Sequence, residues 1–334
     1  MRYLSVCSGI EAATVAWHDM GWQAAAYSEI EKFPSEVLKY HYPSVPNMGD
    51  MTKYKEWEIG TIGLLVGGTP CQSFSVAGLR KGLEDPRGNL ALTYAGILDK
   101  FRPKWFIWEN VPGVLSSNKG RDFGSFLGAV VELGYGFSYR VLDAQHFGVA
   151  QRRRRVFVVG HLGDWRPSAK VLFESHSLSG YSKKSGQKGE EATTFVESSF
   201  GTFREDKIGG TTKASGGVLG GGSETLVATE NNMPLAHAFK VRGGCAGGGK
   251  GYLGQDEKAF TLSTLQDQQI FQNMAVRRLT EIECERLQGF PDNYTNIKEN
   301  CPSGARYKAL GNSMAVPVMK WIGKRIQMVE DGLI

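Results

Sequence analysis

The first half of this chain alternates short apolar runs with amphipathic stretches, and this alternation constrains the fold more than any other feature of the sequence. The apolar runs have the length of buried strands and lie at Tyr3–Val6, Gln23–Tyr27, Ile62–Val66, Lys104–Trp108 and Arg155–Val159. Segments with a helical period separate them, at Ala13–Trp17, Phe33–Tyr40, Gly88–Lys100 and Phe123–Leu133. Because strands that alternate with helices at this spacing form parallel sheets, we predict an α/β fold with a doubly wound parallel sheet.

The pattern changes after His161. The segment Gly209–Gly254 is rich in glycine and lacks periodicity, and only short strands at Ala236–Val241 and Ala259–Leu265 are predicted around it. An irregular stretch of about 110 residues is too long for a simple connection inside a compact domain. We therefore expect a smaller, loop-rich second domain.

Regular patterns return near the C-terminus. Thr280 and Glu283 have the spacing of a capping box at the start of a helix, and a last helix is predicted over Ala315–Val329. We expect residues 1–162 and 306–334 to form one domain, and residues 163–305 to form the second domain with a hinge.

Composition excludes several protein classes. Hydrophobic residues make up 41% of the chain and charged residues 22%, which is typical of a globular protein. The longest apolar run, Ile62–Gly68, is too short to cross a bilayer, and Glu11 comes too early for a secretory leader. The five cysteines never form a C-x-x-C pair. We therefore expect neither a disulfide framework nor a metal site, and a cytoplasmic location.

The net charge of +5 is unevenly distributed. Acidic and basic residues balance between His161 and Val276, so the excess lies in the flanking segments and is densest at Arg152–Arg155. This distribution permits a polyanionic partner.

Side chains suited to catalysis or ligand binding follow several predicted strands. The turn after the first strand contains one glycine, Gly9, and Glu29 ends the second strand, an arrangement that favours a nucleoside without a pyrophosphate. Cys71 follows a buried strand in a loop rich in Gly and Ser, where an exposed nucleophile is expected. Glu109 ends the next apolar run, so we predict a half-buried carboxyl with a raised pKa.

The order of these segments resembles that of the C5-cytosine DNA methyltransferases. The matching residues are Cys7–Gly9, Glu29, Gly49–Asp50, Pro70–Gln72, Arg87–Leu90, Glu109–Val111, Gln151–Arg155, Arg278–Thr280, Glu285–Pro291 and Tyr307–Ser313. The resemblance covers the chain from Leu4 to Ile326 except for the glycine-rich insert. It implies a Rossmann-like methyltransferase sheet with a smaller, loop-rich target-recognition domain, and DNA (cytosine-5-)-methyltransferase activity.

The resemblance also implies catalytic roles. In the family, a thiolate that Cys71 matches attacks C6 of a cytosine flipped out of duplex DNA. Glu109 matches the residue that protonates or hydrogen-bonds N3 and N4. Arg155 matches the arginine that contacts the O2 carbonyl of the cytosine. Arg153 matches an arginine that helps to hold this site.

The methyl donor implied by the resemblance is S-adenosylmethionine, which leaves as S-adenosylhomocysteine. The residues that match its contacts in the family are Gly9, Ile10, Glu29, Ile30, Asp50, Pro70, Leu90 and Asn312. Of these, Glu29 matches the residue that binds the ribose, Ile30 the residue beside the adenine, and Asp50 the residue near the adenine amine. Two departures from the family pattern stand out. Glu11 and Ala12 replace frequent glycines, so we expect the methionine end of the pocket to have a different shape. Ile30 replaces a frequent aromatic residue, which weakens adenine stacking.

The partner implied by the resemblance is double-stranded DNA. Gln72 and Arg87 match the loop that closes over the DNA, and the insert at Gly163–Asn273 occupies the position of a target-recognition domain whose target sequence is not evident. We expect a stand-alone, monomeric enzyme of phage, prophage or bacterial restriction–modification type.

Two rival functions remain on sequence grounds. One is a tRNA cytosine methyltransferase on the same scaffold, and the other is a catalytically silent DNA-binding protein, which should have lost Cys71 or Glu109. Methylation of an exocyclic amino group is disfavoured because the chain has no Asp/Asn/Ser-Pro-Pro-aromatic loop.

Overall fold

A computed structural model describes residues 1–70, 90–174 and 279–334, and eight backbone segments at 193–199, 202–206, 225–228, 237–242, 251–256, 259–260, 268–272 and 275–278. The main sheet has six strands in the order β2-β1-β3-β4-β7-β5. These strands are β1 (Arg2–Val6), β2 (Gln23–Ser28), β3 (Leu64–Gly67), β4 (Trp105–Asn110), β5 (Tyr135–Asp143) and β7 (Arg154–Leu162). The predicted α/β, doubly wound class is confirmed.

The direction of one strand differs from the prediction. Neighbours among β2, β1, β3 and β4 are parallel, but β7 runs antiparallel to both β4 and β5. The prediction of a wholly parallel sheet is therefore wrong at this edge. The reason is that the sequence does not predict β5, because glycine and polar residues interrupt its apolar run. Only a short connection separates β5 from β7, and a short connection can join only antiparallel strands.

The sheet is buried on both faces. Alternate strand residues enter two apolar clusters, one containing Tyr3, Leu64, Val66, Trp105 and Ile107, and the other containing Leu4, Val6, Leu65, Phe106 and Trp108. All ten of these side chains are fully buried. Burial on both faces explains why the strands read as continuous apolar runs and not as alternating ones.

Eight α-helices lie within the described residues. They are α1 (Ala12–Trp17), α2 (Lys32–His41), α3 (Leu90–Phe101), α4 (Arg121–Glu132), α5 (Arg166–Leu172), α6 (Glu281–Gln288), α7 (Ser303–Asn312) and α8 (Val316–Glu330). The predicted capping box of α6 is confirmed, because the Thr280 hydroxyl accepts from the Glu283 N–H and the Glu283 carboxylate accepts from the Thr280 N–H. None of these helices combines the length and apolar character that a membrane span requires.

The C-terminal segment packs against the first helix. Trp17 Nε1 donates a hydrogen bond of 2.9 Å to the Met319 carbonyl, and a Cβ at Gly323 would lie 2.2 Å from the same nitrogen. Glycine is therefore required for this close approach of α8 to α1. Leu279, Phe290 and Tyr294 enter the same apolar cluster. This packing brings the end of α7 towards the turn that follows β1.

The described backbone between residues 193 and 278 is β-structure. Strands β8 (Thr193–Ser199), β9 (Thr202–Asp206) and β10 (Thr225–Ala228) form one antiparallel sheet, and β11 (His237–Arg242), β12 (Gly251–Asp256), β14 (Gln268–Gln272) and β15 (Ala275–Arg278) form another. The strand predicted at Ala236–Val241 is confirmed as β11. The strand predicted at Ala259–Leu265 is described only over β13 (Ala259–Phe260), which pairs in parallel with β6 (Gln151–Arg152).

Candidate active site

A cavity lies at the carboxyl edge of the sheet, where the strand order reverses around β1. Ligands of doubly wound folds bind at such a reversal, because the connections leave the sheet in opposite directions and open a crevice there. The cavity is lined by Gly9 and Glu11 after β1, Gly68 after β3, Glu109 on β4 and Asn312 at the end of α7. The structure thus places Glu109, predicted to be catalytic, in one cavity with Gly9 and Asn312, predicted to bind a cofactor.

Glu109 and Arg155 form an ion pair beside this cavity. Arg155 Nε lies 3.1 Å from Glu109 Oε1, and the two side chains are only 15% and 12% exposed. The pair forms because Glu109 on β4 is the register partner of Phe157 on β7, two residues from Arg155. Burial raises the pKa of Glu109, although the charges of Arg155 and Arg153 act to lower that pKa. A carboxyl whose pKa is raised by burial keeps its proton to a higher pH than an ordinary glutamate and can serve as a proton donor to a substrate.

Arg153 is buried and connects two parts of the site. Its Nη2 donates to the carbonyls of Gly311, at 3.2 Å, and Ser313, at 2.7 Å, on either side of Asn312. Burial and the charge of Arg155 lower the pKa of Arg153 to about 9, while the charge of Glu109 raises it. Its Nε and Nη1 have no hydrogen-bond partner, so two donors remain for a bound group.

The backbone that leads to Cys71 is anchored to the strand that carries Glu109. Asn110 Nδ2 donates to the Thr69 carbonyl at 2.9 Å, and Trp108 Nε1 donates to the Thr69 hydroxyl at 3.1 Å. A Cβ at Gly68 would lie 2.8 Å from Glu109 Oε2 and 3.2 Å from the Glu109 carbonyl oxygen, so a side chain here would displace the Glu109 carboxylate. Cys71 itself lies outside the described residues, as do Gln72 and Arg87.

Acidic groups converge on the turn after β1. Glu29 Oε2 accepts the Gly9 N–H at 2.8 Å, which holds the carboxylate against the turn. Burial, together with the smaller effects of the Glu29 and Asp50 charges, raises the pKa of Cys7 to about 12. Both carboxylates therefore lie close enough to Cys7, which lines the cavity, to act on its thiol.

The other predicted cofactor residues occupy varied environments. Ile10 is fully buried, and its carbonyl accepts from the Tyr294 hydroxyl at 2.9 Å. Ile30 is 75% exposed, Pro70 is exposed, and Leu90 begins α3 and packs partly against the core. None of these residues is among those that line the cavity. No group of three or more metal-ligating side chains occurs in the described part of the chain.

Glu11 is a site residue for which the sequence predicts only a different shape of the pocket. The sequence shows only a carboxylate in a tight turn between Ile10 and Ala12. In the structure, Glu11 is fully buried, has a φ of 67° and lines the cavity. Burial raises its pKa to about 7.

Comparison with known proteins identifies the family that the chain is similar to. A family model described as C-5 cytosine-specific DNA methylase matches residues 1–328. A protein of Escherichia phage P1 named DNA N-6-adenine-methyltransferase is 34% identical, and the match covers 97% of this chain but only 61% of that protein. Type II methyltransferase M1.ScrFI of Lactococcus lactis subsp. cremoris is 30% identical, with 97% of this chain and 77% of that protein covered.

Solved structures share the fold. The crystal structure of the S. pombe Dnmt2 methyltransferase superposes with a TM-score of 0.62 at 17% identity, and the match covers 100% of both chains. At this level of identity the likeness concerns the fold alone.

Proposed function

Because the chain belongs to the C-5 cytosine-specific DNA methylase family, we propose that it methylates C5 of cytosine in duplex DNA with S-adenosylmethionine as the methyl donor. The observation that carries this proposal is the single cavity that joins Gly9 and Asn312 to Glu109, whose carboxylate is paired with Arg155. A cofactor site and a proton-bearing group that meet in one cavity are what a methyl transfer between two bound molecules requires.

The chain's residues fit this cofactor. Glu29 is held against the Gly9 turn, where it can accept from ribose hydroxyls, and Ile30 presents an exposed apolar side chain at the same sheet edge. The unpartnered Glu11 Oε2 in the cavity wall leaves an acceptor for a donor on the ligand. The proposed cofactor contacts are Gly9, Ile10, Glu29, Ile30, Asp50, Pro70, Leu90 and Asn312. When bound, S-adenosylmethionine supplies an electrophilic methyl group and leaves as S-adenosylhomocysteine.

Cys71 is the proposed nucleophile. C5 of cytosine is a weak nucleophile by itself, and addition of the Cys71 thiolate to C6 makes it reactive. The new S–C6 bond uses the thiolate electron pair, and the C5–C6 π electrons move towards C5 and the N3 side of the ring. After C5 has taken the methyl group, N3 returns its proton to Glu109 and solvent takes the C5 proton. The electron pair of the C5–H bond re-forms the C5–C6 π bond as the S–C6 bond breaks and releases the Cys71 thiolate. The Asn110 and Trp108 hydrogen bonds to Thr69 hold the start of the loop that carries this thiolate.

Glu109, Arg155 and Arg153 are proposed to stabilise the attacked ring. Glu109 donates a proton or hydrogen bond at N3 as charge develops there, which its raised pKa permits. Arg155 holds the O2 carbonyl, and Arg153 holds the end of α7 against the site through its contacts with Gly311 and Ser313. Because Glu109 and Arg155 are mostly buried, the target base must leave the duplex to reach them.

The product of the reaction tests this proposal. Duplex DNA incubated with the protein and S-adenosylmethionine is expected to contain 5-methylcytosine, measured by mass spectrometry of the digested nucleosides. The same digest reports N6-methyladenine, the product that the name of the phage P1 relative indicates for that protein. Exclusive formation of N6-methyladenine would refute the proposal. A parallel reaction with tRNA identifies the rival substrate, and faster methylation of tRNA than of DNA would refute the assignment of DNA.

We also propose how the chain binds DNA. Gln72 and Arg87 are assigned to the loop over the flipped base, and residues 163–305, with a hinge, to target recognition. Arg152 and Arg154 are exposed on the turn beside the buried Arg153 and give this edge positive charge for backbone phosphates.

We predict that the insert determines which DNA sequence is methylated. Replacing residues 163–273 with the equivalent segment of a family member of different specificity is expected to change the methylated sequence and to retain C5 chemistry, because base edges are read by side chains delivered into a groove. Bisulfite sequencing of methylated plasmid gives both results at once. A chimera that is active but keeps the parent's target sequence would contradict this assignment.

A further inference from the structure

Glu11 has a backbone conformation that its residue type disfavours. Its φ of 67° and ψ of 60° lie in the left-handed region, where glycine is preferred because a Cβ crowds the following carbonyl. The residue nevertheless carries a side chain, and that side chain is fully buried. Oε1 accepts the Thr14 N–H at 3.2 Å and so caps α1, but a shorter polar residue could also do this. Strain retained beside a ligand cavity indicates a functional reason for the larger side chain.

The second carboxylate oxygen of Glu11 is an unused acceptor. Oε2 is buried, and no donor of the described residues meets hydrogen-bond geometry with it, although the Ser5 side chain lies close enough to lower the pKa of the carboxyl. Buried carboxylate oxygens are almost always satisfied, because an unpaired one loses its hydration without compensation. The same cavity is lined by Ser5, Cys7 and Gly9, so a ligand in it lies next to this oxygen.

The surroundings of Glu11 offer no counter-charge. Burial outweighs the hydrogen-bonding influence of Ser5 and Thr14 and, with a smaller contribution from the charge of Glu29, raises the pKa of the carboxyl to about 7. The other titratable groups that face Glu11 are the hydroxyls of Tyr3, Tyr27, Tyr42 and Tyr294, whose own pKa values the Glu11 charge raises. No basic side chain of the described residues is among the groups that shift its pKa. A cation with N–H donors would therefore satisfy both the charge and the empty acceptor.

S-adenosylmethionine carries two positive groups, and only one of them can donate. The sulfonium has no N–H or O–H, whereas the α-ammonium group has three donors. We propose that Glu11 binds the α-ammonium group of the methionine portion of the cofactor and is a specificity-determining residue of this chain's cofactor site. This inference rests on the proposed function, because it concerns the amino-acid end of the proposed methyl donor.

Binding is then coupled to ionisation of Glu11. Below its raised pKa the free carboxyl is largely protonated, and the ammonium group stabilises the ionised form, so a proton is released on binding. Affinity for the cofactor is expected to increase as the pH rises towards about 7, where the carboxyl ionises without the ligand. Glu11→Gln removes the titrating group and is expected to abolish this dependence.

The test compares two ligands by isothermal titration calorimetry. S-adenosylhomocysteine has the α-amino group, and its deaminated analogue lacks it but is otherwise the same. For the Glu11→Gln variant, we expect binding of S-adenosylhomocysteine to weaken by about tenfold to a hundredfold, the loss typical of one charge-assisted hydrogen bond, and binding of the analogue to change by less than about twofold. Repeating the titration in buffers of different ionisation enthalpy should show proton release for the parent protein and none for Glu11→Gln.

A second variant separates binding from folding. Glu11→Gly relieves the left-handed strain and also removes the carboxylate, so it should show the same ligand selectivity if Glu11→Gln fails to fold. Equal losses for both ligands, or no loss for S-adenosylhomocysteine, would overturn the inference and leave the proposed function intact. Failure of the parent protein to bind S-adenosylhomocysteine would overturn the proposed function and this inference together.

Discussion

Replacing Cys71 with alanine is expected to abolish methyl transfer, with a loss of turnover of at least about a thousandfold. Alanine cannot form the bond to C6, so C5 is never activated. Binding of S-adenosylhomocysteine should stay near that of the parent protein, because the cavity lining around Gly9 and Asn312 is built from other parts of the chain. Turnover is measured by transfer of a labelled methyl group to DNA, and cofactor binding by calorimetry.

A mechanism-based probe gives this prediction a second readout. Duplex DNA with 5-fluorocytosine at the target should trap the parent protein in a denaturation-resistant complex, because fluorine cannot leave as a proton does. Cys71→Ala should form no such complex. Cys301→Ala is the matched control, since Cys301 is partly exposed and its Sγ contacts only the Thr295 carbonyl, at 3.4 Å, among its described hydrogen bonds. Substantial turnover by Cys71→Ala, or a denaturation-resistant complex between this variant and the 5-fluorocytosine DNA, would contradict the assignment of Cys71 as the nucleophile.

Replacing Glu109 with glutamine is expected to lower turnover by about 10²- to 10⁴-fold, the range for loss of general acid assistance. An amide can still donate a hydrogen bond to the flipped base, but it cannot deliver a proton at N3. DNA affinity should therefore fall much less than turnover, as measured by single-turnover kinetics and by DNA titration. Equal losses in both would instead assign Glu109 to positioning of the base.

The pH profile distinguishes proton donation from a merely electrostatic role. Burial raises the pKa of Glu109, so the protonated form persists to higher pH than for an ordinary glutamate. The parent protein's turnover should fall as the pH rises through this pKa, and the Glu109→Gln variant should lack this fall. Glu36→Gln makes the same chemical change in a surface pair with Lys298 and serves as the control that keeps the parent profile. A Glu109→Gln profile that still follows the parent would contradict the role as proton donor.

Local patterns in the sequence were sufficient for much of the fold. The strands β1 to β4 were predicted because most of their residues are buried, which makes each a short, mostly apolar run. The start of α6 was predicted because a capping box depends on two residues three positions apart, Thr280 and Glu283. The strand β5 and the helix α7 escaped prediction because polar and glycine residues break their patterns, and packing against distant segments stabilises them instead.

The motifs identified the candidate residues but not their mutual geometry. The contact of Arg155 with Glu109 depends on β7 lying antiparallel to β4, which places Phe157 opposite Glu109. The sequence predicted a parallel sheet, so it could not supply this pairing. In the same way, the position of Asn312 at the cavity follows from the packing of the C-terminal segment, including the contact of Trp17 with Met319.

By itself, then, the sequence determined most of the elements, the family and the chemical types at the site, because each of these depends on neighbouring residues or on short motifs. Only the tertiary structure decided which of these groups are buried, paired or left unsatisfied. Glu11 shows the difference, since in the sequence it is only a departure from a glycine pattern. Its burial and its unpaired Oε2 arise where β1, α1 and the Tyr294 segment meet. Desolvation and charge pairing depend on all atoms around a group, and those atoms come from parts of the chain far apart in sequence.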